Sequence, residues 1–163
     1  MPLTSNKQIV AAAVHDLLAP REFKKKGLVF SRTLSDVVHF IALQSSGSST
    51  AEELQLTVNL GVLVPSLCEA WSPHDVWSSH WQQRLGFLLP MPSDRWWQIR
   101  SEREASVAAA EIVAGLLDYG LPKLDTLPTK AALAELWRTG QSPGLTEVQR
   151  KRSLDRIANE QTA

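Results

Sequence analysis

The chain has 163 residues, 44% hydrophobic and 21% charged, which suits one domain with a substantial core. Seventeen Lys and Arg balance seventeen Asp and Glu, so no whole-molecule field draws in nucleic acid or an anionic membrane. The single Cys68 excludes an internal disulfide framework and any Cys-based zinc template.

Nothing near the N-terminus has the layout of a signal peptide, and no run approaches the roughly 20 apolar residues of a membrane span. The expected location is therefore the cytoplasm. Ser5 and Gln8 read as a capping box opening a first helix, in which Val10, Ala13, Val14, Leu17 and Leu18 recur at helical spacing until Pro20. In "FKKKGLVFSR", the lysines Lys24, Lys25 and Lys26 adjoin a hydrophobic run. The chain is neutral and no aromatic residue interleaves the lysines, so they read as a solvated strand entry that discourages edge pairing.

Residues 28–34 and 37–43 form strands about a tight turn at Ser35 and Asp36, followed by the polar loop "SSGSSTAEE". The strongest signal is "LQLTVNLGVLV", residues 54–64. Leu54, Leu56, Val58, Leu60, Val62 and Val64 share a core face, while Gln55, Thr57, Asn59 and Gly61 share the other. Gly61 within a strand marks a close backbone approach or a bulge. "HWQQRLGFLL" repeats the alternation, with Trp81, Leu85, Phe87 and Leu89 inward and His80, Gln82 and Arg84 outward. A short strand follows at 96–99.

The period then becomes helical. Ser101 and Glu104 form a second capping box, an apolar stripe runs from Ala105 to Leu117, and Gly120 and Pro122 close the helix. A shorter helix starts at Thr129 and carries Leu133, Leu136 and Trp137. The fold class is thus α+β: an antiparallel meander sheet of four to five strands, packed on one face by an N-terminal helix and a long C-terminal helix. Residues 1–140 form the domain, and 141–163 a charged tail expected to be a marginal or partner-dependent helix.

The segments "FKKKGLVFSR" after a first helix, "TVNLGVLVP", "HWQQRLGFLL", "RWWQI" and "YGLPKLDTL" after a long helix carry a family resemblance. In order and spacing the chain resembles the bacterial family catalogued as domain of unknown function 4304, over roughly residues 7–138. Glu22 departs from the Gly expected before the Phe. The resemblance implies a fold and no activity.

Meander pairing places His39, Gln55, Thr57, Asn59, His80, Gln82 and Arg84 on one polar face, with Gln44 on the opposite phase. Amides and a guanidinium on a rigid sheet suit hydrogen-bonded recognition of a peptide or a small anion. The candidate binding residues are Asn59, Arg84, His80, Thr57 and His39. A second candidate is the loop "PSLCEAWSPHDVW", where Trp71 and Trp77 either pin the loop or present an aromatic anchor. Of the six tryptophans, Trp81, Trp137 and one of Trp96 and Trp97 belong to the core.

Glu69, His74, Asp75 and His80 match no metal-ligand template, and Cys68 sits in no nucleophile motif. No catalytic residue, metal ligand or cofactor is assigned. The expected role is a non-catalytic protein-binding or accessory module, an immunity-like protein being one concrete form. The alternative is a small-ligand-binding or enzymatic domain using the face around Asn59 and Arg84. The partners to expect are a protein or a small molecule, and not nucleic acid or a membrane.

Overall fold

The computed structural model describes residues 3–141 and 143–162. Helix α1, Leu3–Leu18, buries Val10, Ala11, Val14 and Leu18 as one stripe. It begins ahead of Ser5, so the expected capping box is not its start. Strand β1, Lys24–Lys26, pairs with β2, Val29–Thr33, across a turn in which Gly27 has φ +61°. The lysine run is thus a separate edge strand whose side chains are all exposed. A charged edge resists pairing with another chain.

The sheet continues antiparallel through β3, Val38–Ser45, β4, Leu54–Leu63, and β5, Trp81–Arg84, while β6, Trp97–Ile99, also pairs with β4. β5 lies opposite residues 59–62 and β6 opposite residues 54–56 of the same β4 edge. Together they make one interrupted strand, with residues 85–96 thrown out between them. The excursion opens with a 3-10 turn at Leu85–Leu88 and is closed by the Ser93 N–H, which donates to the Gly86 carbonyl at 3.1 Å. The expected alternation therefore fails beyond Arg84. Leu85 stays buried, but Phe87 is 44% exposed, because side-chain alternation ends where the backbone leaves the sheet.

Helix α2, Glu102–Gly115, a π-helical turn at Leu116–Gly120 and α3, Leu121–Asp125, form one continuous rod. The Ser101 hydroxyl accepts the Glu104 N–H at 3.1 Å, and the Glu104 carboxylate accepts the Arg100 N–H at 2.6 Å. The helix does not close at Gly120 as expected. Leu121 N–H reaches back to the Leu116 carbonyl, and this wider turn admits Pro122, which has no N–H to give to residue 118. By length and hydropathy the stretch Glu102–Asp125 suffices to cross a bilayer, against the expectation from apolar runs alone. Here its apolar stripe of Ala105, Ala108, Ala109, Ile112 and Leu116 faces the core.

Helix α4, Lys130–Arg138, is capped by Thr129, whose hydroxyl accepts the Ala132 N–H, and buries Leu133 and Trp137. The tail forms α5, Glu147–Thr162. It lies against the domain through buried Ile157, a Lys130–Glu160 ion pair at 2.6 Å, and Arg156, which donates to the Leu67 carbonyl at 2.6 Å. The Lys130 ammonium, as hydrogen-bond partner, holds the Glu160 carboxyl below its ordinary value.

The main core joins the even-numbered residues of β4 to Phe30, Ile41, Leu43 and Trp81 beneath α1 and α2. Trp97 and Trp137 are buried in the same core. A second, smaller cluster occupies the opposite sheet face: Phe40, Ala42 and Leu63 packed by Val76, with Cys68 at its margin. This second face is therefore apolar at one end rather than polar throughout.

Candidate functional site

Register sorts the candidates. Ala42 pairs with Asn59, Gln44 with Thr57, and Asn59 with Arg84, so Gln44, Thr57, Asn59, Gln82 and Arg84 project from the same face. Gln44 belongs to this face without a bulge, which corrects the expected phase. The Asn59 amide donates to the Gln44 side-chain oxygen at 2.9 Å.

His39 pairs with Val62 and belongs to the opposite, core-side face. It is fully buried, and its Nε2 lies 2.7 Å from the Leu127 carbonyl. A carbonyl only accepts, so Nε2 carries the proton and Nδ1 accepts from the Arg32 guanidinium at 3.2–3.3 Å. Arg32 in turn pairs with Asp125 at 2.7 Å and covers the Phe23 ring. Burial lowers the His39 pKa, and the adjoining guanidinium pushes it the same way. His39 is a neutral clamp between the sheet and the end of α3.

His80 is also committed. Its Nδ1 accepts the Val64 N–H at 3.0 Å, securing the chain where β4 ends. Burial, helped by the charge of Arg156, pushes its pKa down to about 4. Thr57 is fully buried, its hydroxyl donating to the Arg95 carbonyl at 2.8 Å, so it anchors the 85–96 excursion over the sheet.

The connection from β4 to β5, residues 64–80, folds over the other end of this face. Asp75 caps its 3-10 turn Val76–Ser78 by accepting the Ser78 N–H at 2.8 Å. Gly61 permits the approach: a Cβ there would stand 2.5 Å from Ser79 Oγ and 3.1 Å from Val76 Cγ2. The sequence expectation of a close approach at Gly61 is met by this loop.

Between the two coverings an open groove remains, about 440 Å³, lined by Asn59, Trp77, Gln82, Arg84, Phe87 and Asp94. The two separate sequence candidates, the polar strand face and the aromatic loop, thus meet in Asn59, Arg84 and Trp77. Phe87 and Asp94 escape the sequence reading, Phe87 because the alternation in "HWQQRLGFLL" does not show that β5 ends at Arg84. Asp94 lies in a turn whose return onto Arg84 no local pattern announces.

The groove is charged but balanced. One Arg84 nitrogen donates to both Asp94 oxygens, at 2.7 and 2.6 Å, and the guanidinium lies 5.1 Å from the centre of the Trp96 ring. Gln82 holds its amide against the Trp77 and Ser79 carbonyls, both at 3.0 Å, fixing the wall on which Trp77 stands. Trp77 is 54% exposed, and Trp71 is 83% exposed in the same connection, away from the groove lining. The chemistry on offer is aromatic area with amide, guanidinium and carboxylate groups held in place.

Among the described residues no three His, Cys, Asp or Glu side chains converge as metal ligands. Glu69 lies 3.6 Å from Arg156, and Asp75 is taken up by its cap. Burial raises the Cys68 thiol pKa, which keeps it protonated.

Compared with known proteins, residues 14–126 match the family model described as Domain of unknown function (DUF4304). Neither the curated proteins nor the solved structures returned a match.

Proposed function

The chain belongs to the DUF4304 family, and from that premise we propose that it is a non-catalytic protein-binding module in which a partner segment docks in the groove between Trp77 and Phe87. One observation carries this reading. The loop and the strand excursion bring two half-exposed aromatic side chains, Trp77 and Phe87, into one groove with the polar groups Asn59, Gln82 and Arg84. Aromatic anchors beside hydrogen-bonding groups are the chemistry of interface centres. The Asp94 clamp and Trp96 hold Arg84 still, so little side-chain entropy remains to be lost on docking. An accessory or immunity-like protein, which acts by occupying its partner, uses such a surface. The proposal sets the encounter in the cytoplasm, where the lone Cys68 thiol stays reduced.

A second reading rests on the groove's size. At about 440 Å³ it falls within the range of small-molecule sites, so capture of a small polar aromatic compound is the alternative.

Selection of displayed peptides on the domain tests the first reading. Enriched peptides should bind the parent chain and lose about tenfold or more in affinity on Trp77→Ala, the size expected for an aromatic anchor. Substitution of Lys25 on the remote sheet edge should change nothing. Peptides that bind Trp77→Ala equally well, or no enrichment at all, overturn it.

A further inference from the structure

Trp77 lines the groove and also a smaller cleft of about 280 Å³ against the first turns of α5. Ser78, His80, Gln82, Gln149, Arg152 and Ser153 contribute to its lining, which holds one guanidinium and no carboxylate. The neighbouring arginines are engaged: Arg150 donates to the Trp137 carbonyl at 2.8 Å, and Arg156 to the Leu67 carbonyl at 2.6 Å. Among the described residues the Arg152 side chain has no hydrogen bond or ion pair, and Glu147 is taken up by Lys151 at 3.2 Å.

Other donors stand beside Arg152. Gln149 uses its side-chain oxygen to accept the Thr146 N–H at 2.9 Å, which leaves its NH₂ group over. His80 accepts at Nδ1, so its ring proton is at Nε2. The hydroxyls of Ser78 and Ser153 make no hydrogen bond among the described residues. A cleft lined by a guanidinium, hydroxyls and N–H groups, without a carboxylate, is complementary to an anion.

We propose that this cleft binds the anionic group, a carboxylate or a phosphate, of the segment that occupies the groove, with Arg152 as its counter-charge and Trp77 as the shared wall. This rests on the docking reading above and adds to it the charge of the partner.

The test uses the full chain, with the Trp77 indole N–H followed by NMR during titration with inorganic phosphate and, separately, acetate, at constant ionic strength set with chloride. At least one ion should give a saturable shift, weakened about tenfold by Arg152→Gln, as loss of a charge-assisted contact requires. Lys151→Gln next to it should leave the curve unchanged. The stronger ion tells phosphate from carboxylate. No saturable shift with either ion, or identical curves for the parent and Arg152→Gln, overturns the proposal.

Groove-selected peptides separate the two readings. Peptides that need Trp77 but ignore Arg152→Gln and removal of their own acidic group sink the anion cleft and leave the groove standing. Phosphate binding that needs Arg152, with no peptide enriched, sinks the groove reading and leaves the anion cleft.

Discussion

The two faces of this sheet are covered by opposite means. The even-numbered residues of β4 are sealed by two helices, and Leu56, Val58, Leu60 and Val62 are fully buried. The odd-numbered residues are covered by the chain's own connections, with Val76 and Ser79 at Gly61 and the Arg95 carbonyl at Thr57. Helices tile a sheet continuously, whereas two loops arriving from different sides leave a gap. The groove is that gap. The larger apolar core lies on the first face; the second, where rigid strands hold polar groups between the chain's connections, carries the groove proposed as a docking site.

Four measurements test this contrast. Leu60→Ala should have the largest effect, about 2–5 kcal/mol in urea denaturation, through lost burial and a residual cavity under the helices. A cost below about 1 kcal/mol would remove the helix-covered face from its leading place.

Acid should act next, through His80. Its folded pKa of about 4 lies below the ordinary 6.5, so the unfolded chain takes up a proton first as pH falls. The stabilisation is complete above pH 6.5 and is lost as pH drops toward about 4, amounting to about 3 kcal/mol. His39, whose pKa is also lowered, adds in the same direction. Urea curves at the two ends of that window measure the loss, and His80→Gln, which keeps an acceptor for Val64, should reduce it. An unchanged loss in that variant would clear His80 of the role.

Gly61→Ala should cost about 1–3 kcal/mol by driving a methyl group into Ser79 and Val76. The covering loop should loosen, which greater proteolytic cleavage in residues 65–79 would reveal. A cost equal to that of Leu60→Ala would mean that the loop-covered face matters as much to the fold as the helix-covered one.

The smallest effect belongs to Asn59→Thr. Threonine cannot reach Gln44, but Gln44 is half-buried and can turn to water, so the loss should be about 1 kcal/mol. Selected peptides should nevertheless bind the variant several-fold more weakly, by about 1 kcal/mol in binding free energy. Destabilisation as large as that of Leu60→Ala, with peptide binding retained, would make Asn59 a structural residue and remove it from the proposed docking surface.

Legibility follows the same division. Periodicity in residues 54–64 identified the core of β4, and the Ser101 and Thr129 caps lie where the polar residues preceding each helix indicated. The phase expected for β3 exchanges His39 for Gln44. "VVHFIALQ" is apolar on both of its faces because one meets the helices and the other meets Val76, Leu63 and Cys68. An all-apolar strand carries no alternation from which a phase can be taken. The polar His39 resembled a surface residue because its partners, Arg32 and the Leu127 carbonyl, come from other elements.

What could be read from residues one to four apart was the set of helices and strands, their caps, and which residues of a strand share a face. Those are consequences of backbone geometry and nearest-neighbour sterics, which local sequence encodes directly. The groove depends on longer separations: 10 residues from Arg84 to Asp94, 15 from Gln44 to Asn59, and 88 from His39 to Leu127 for the clamp on the other face. Pairing register and loop placement bring those groups together, and both are set by the simultaneous burial of two sheet faces. No single segment holds that information, because each face finds its cover only when the rest of the chain has packed.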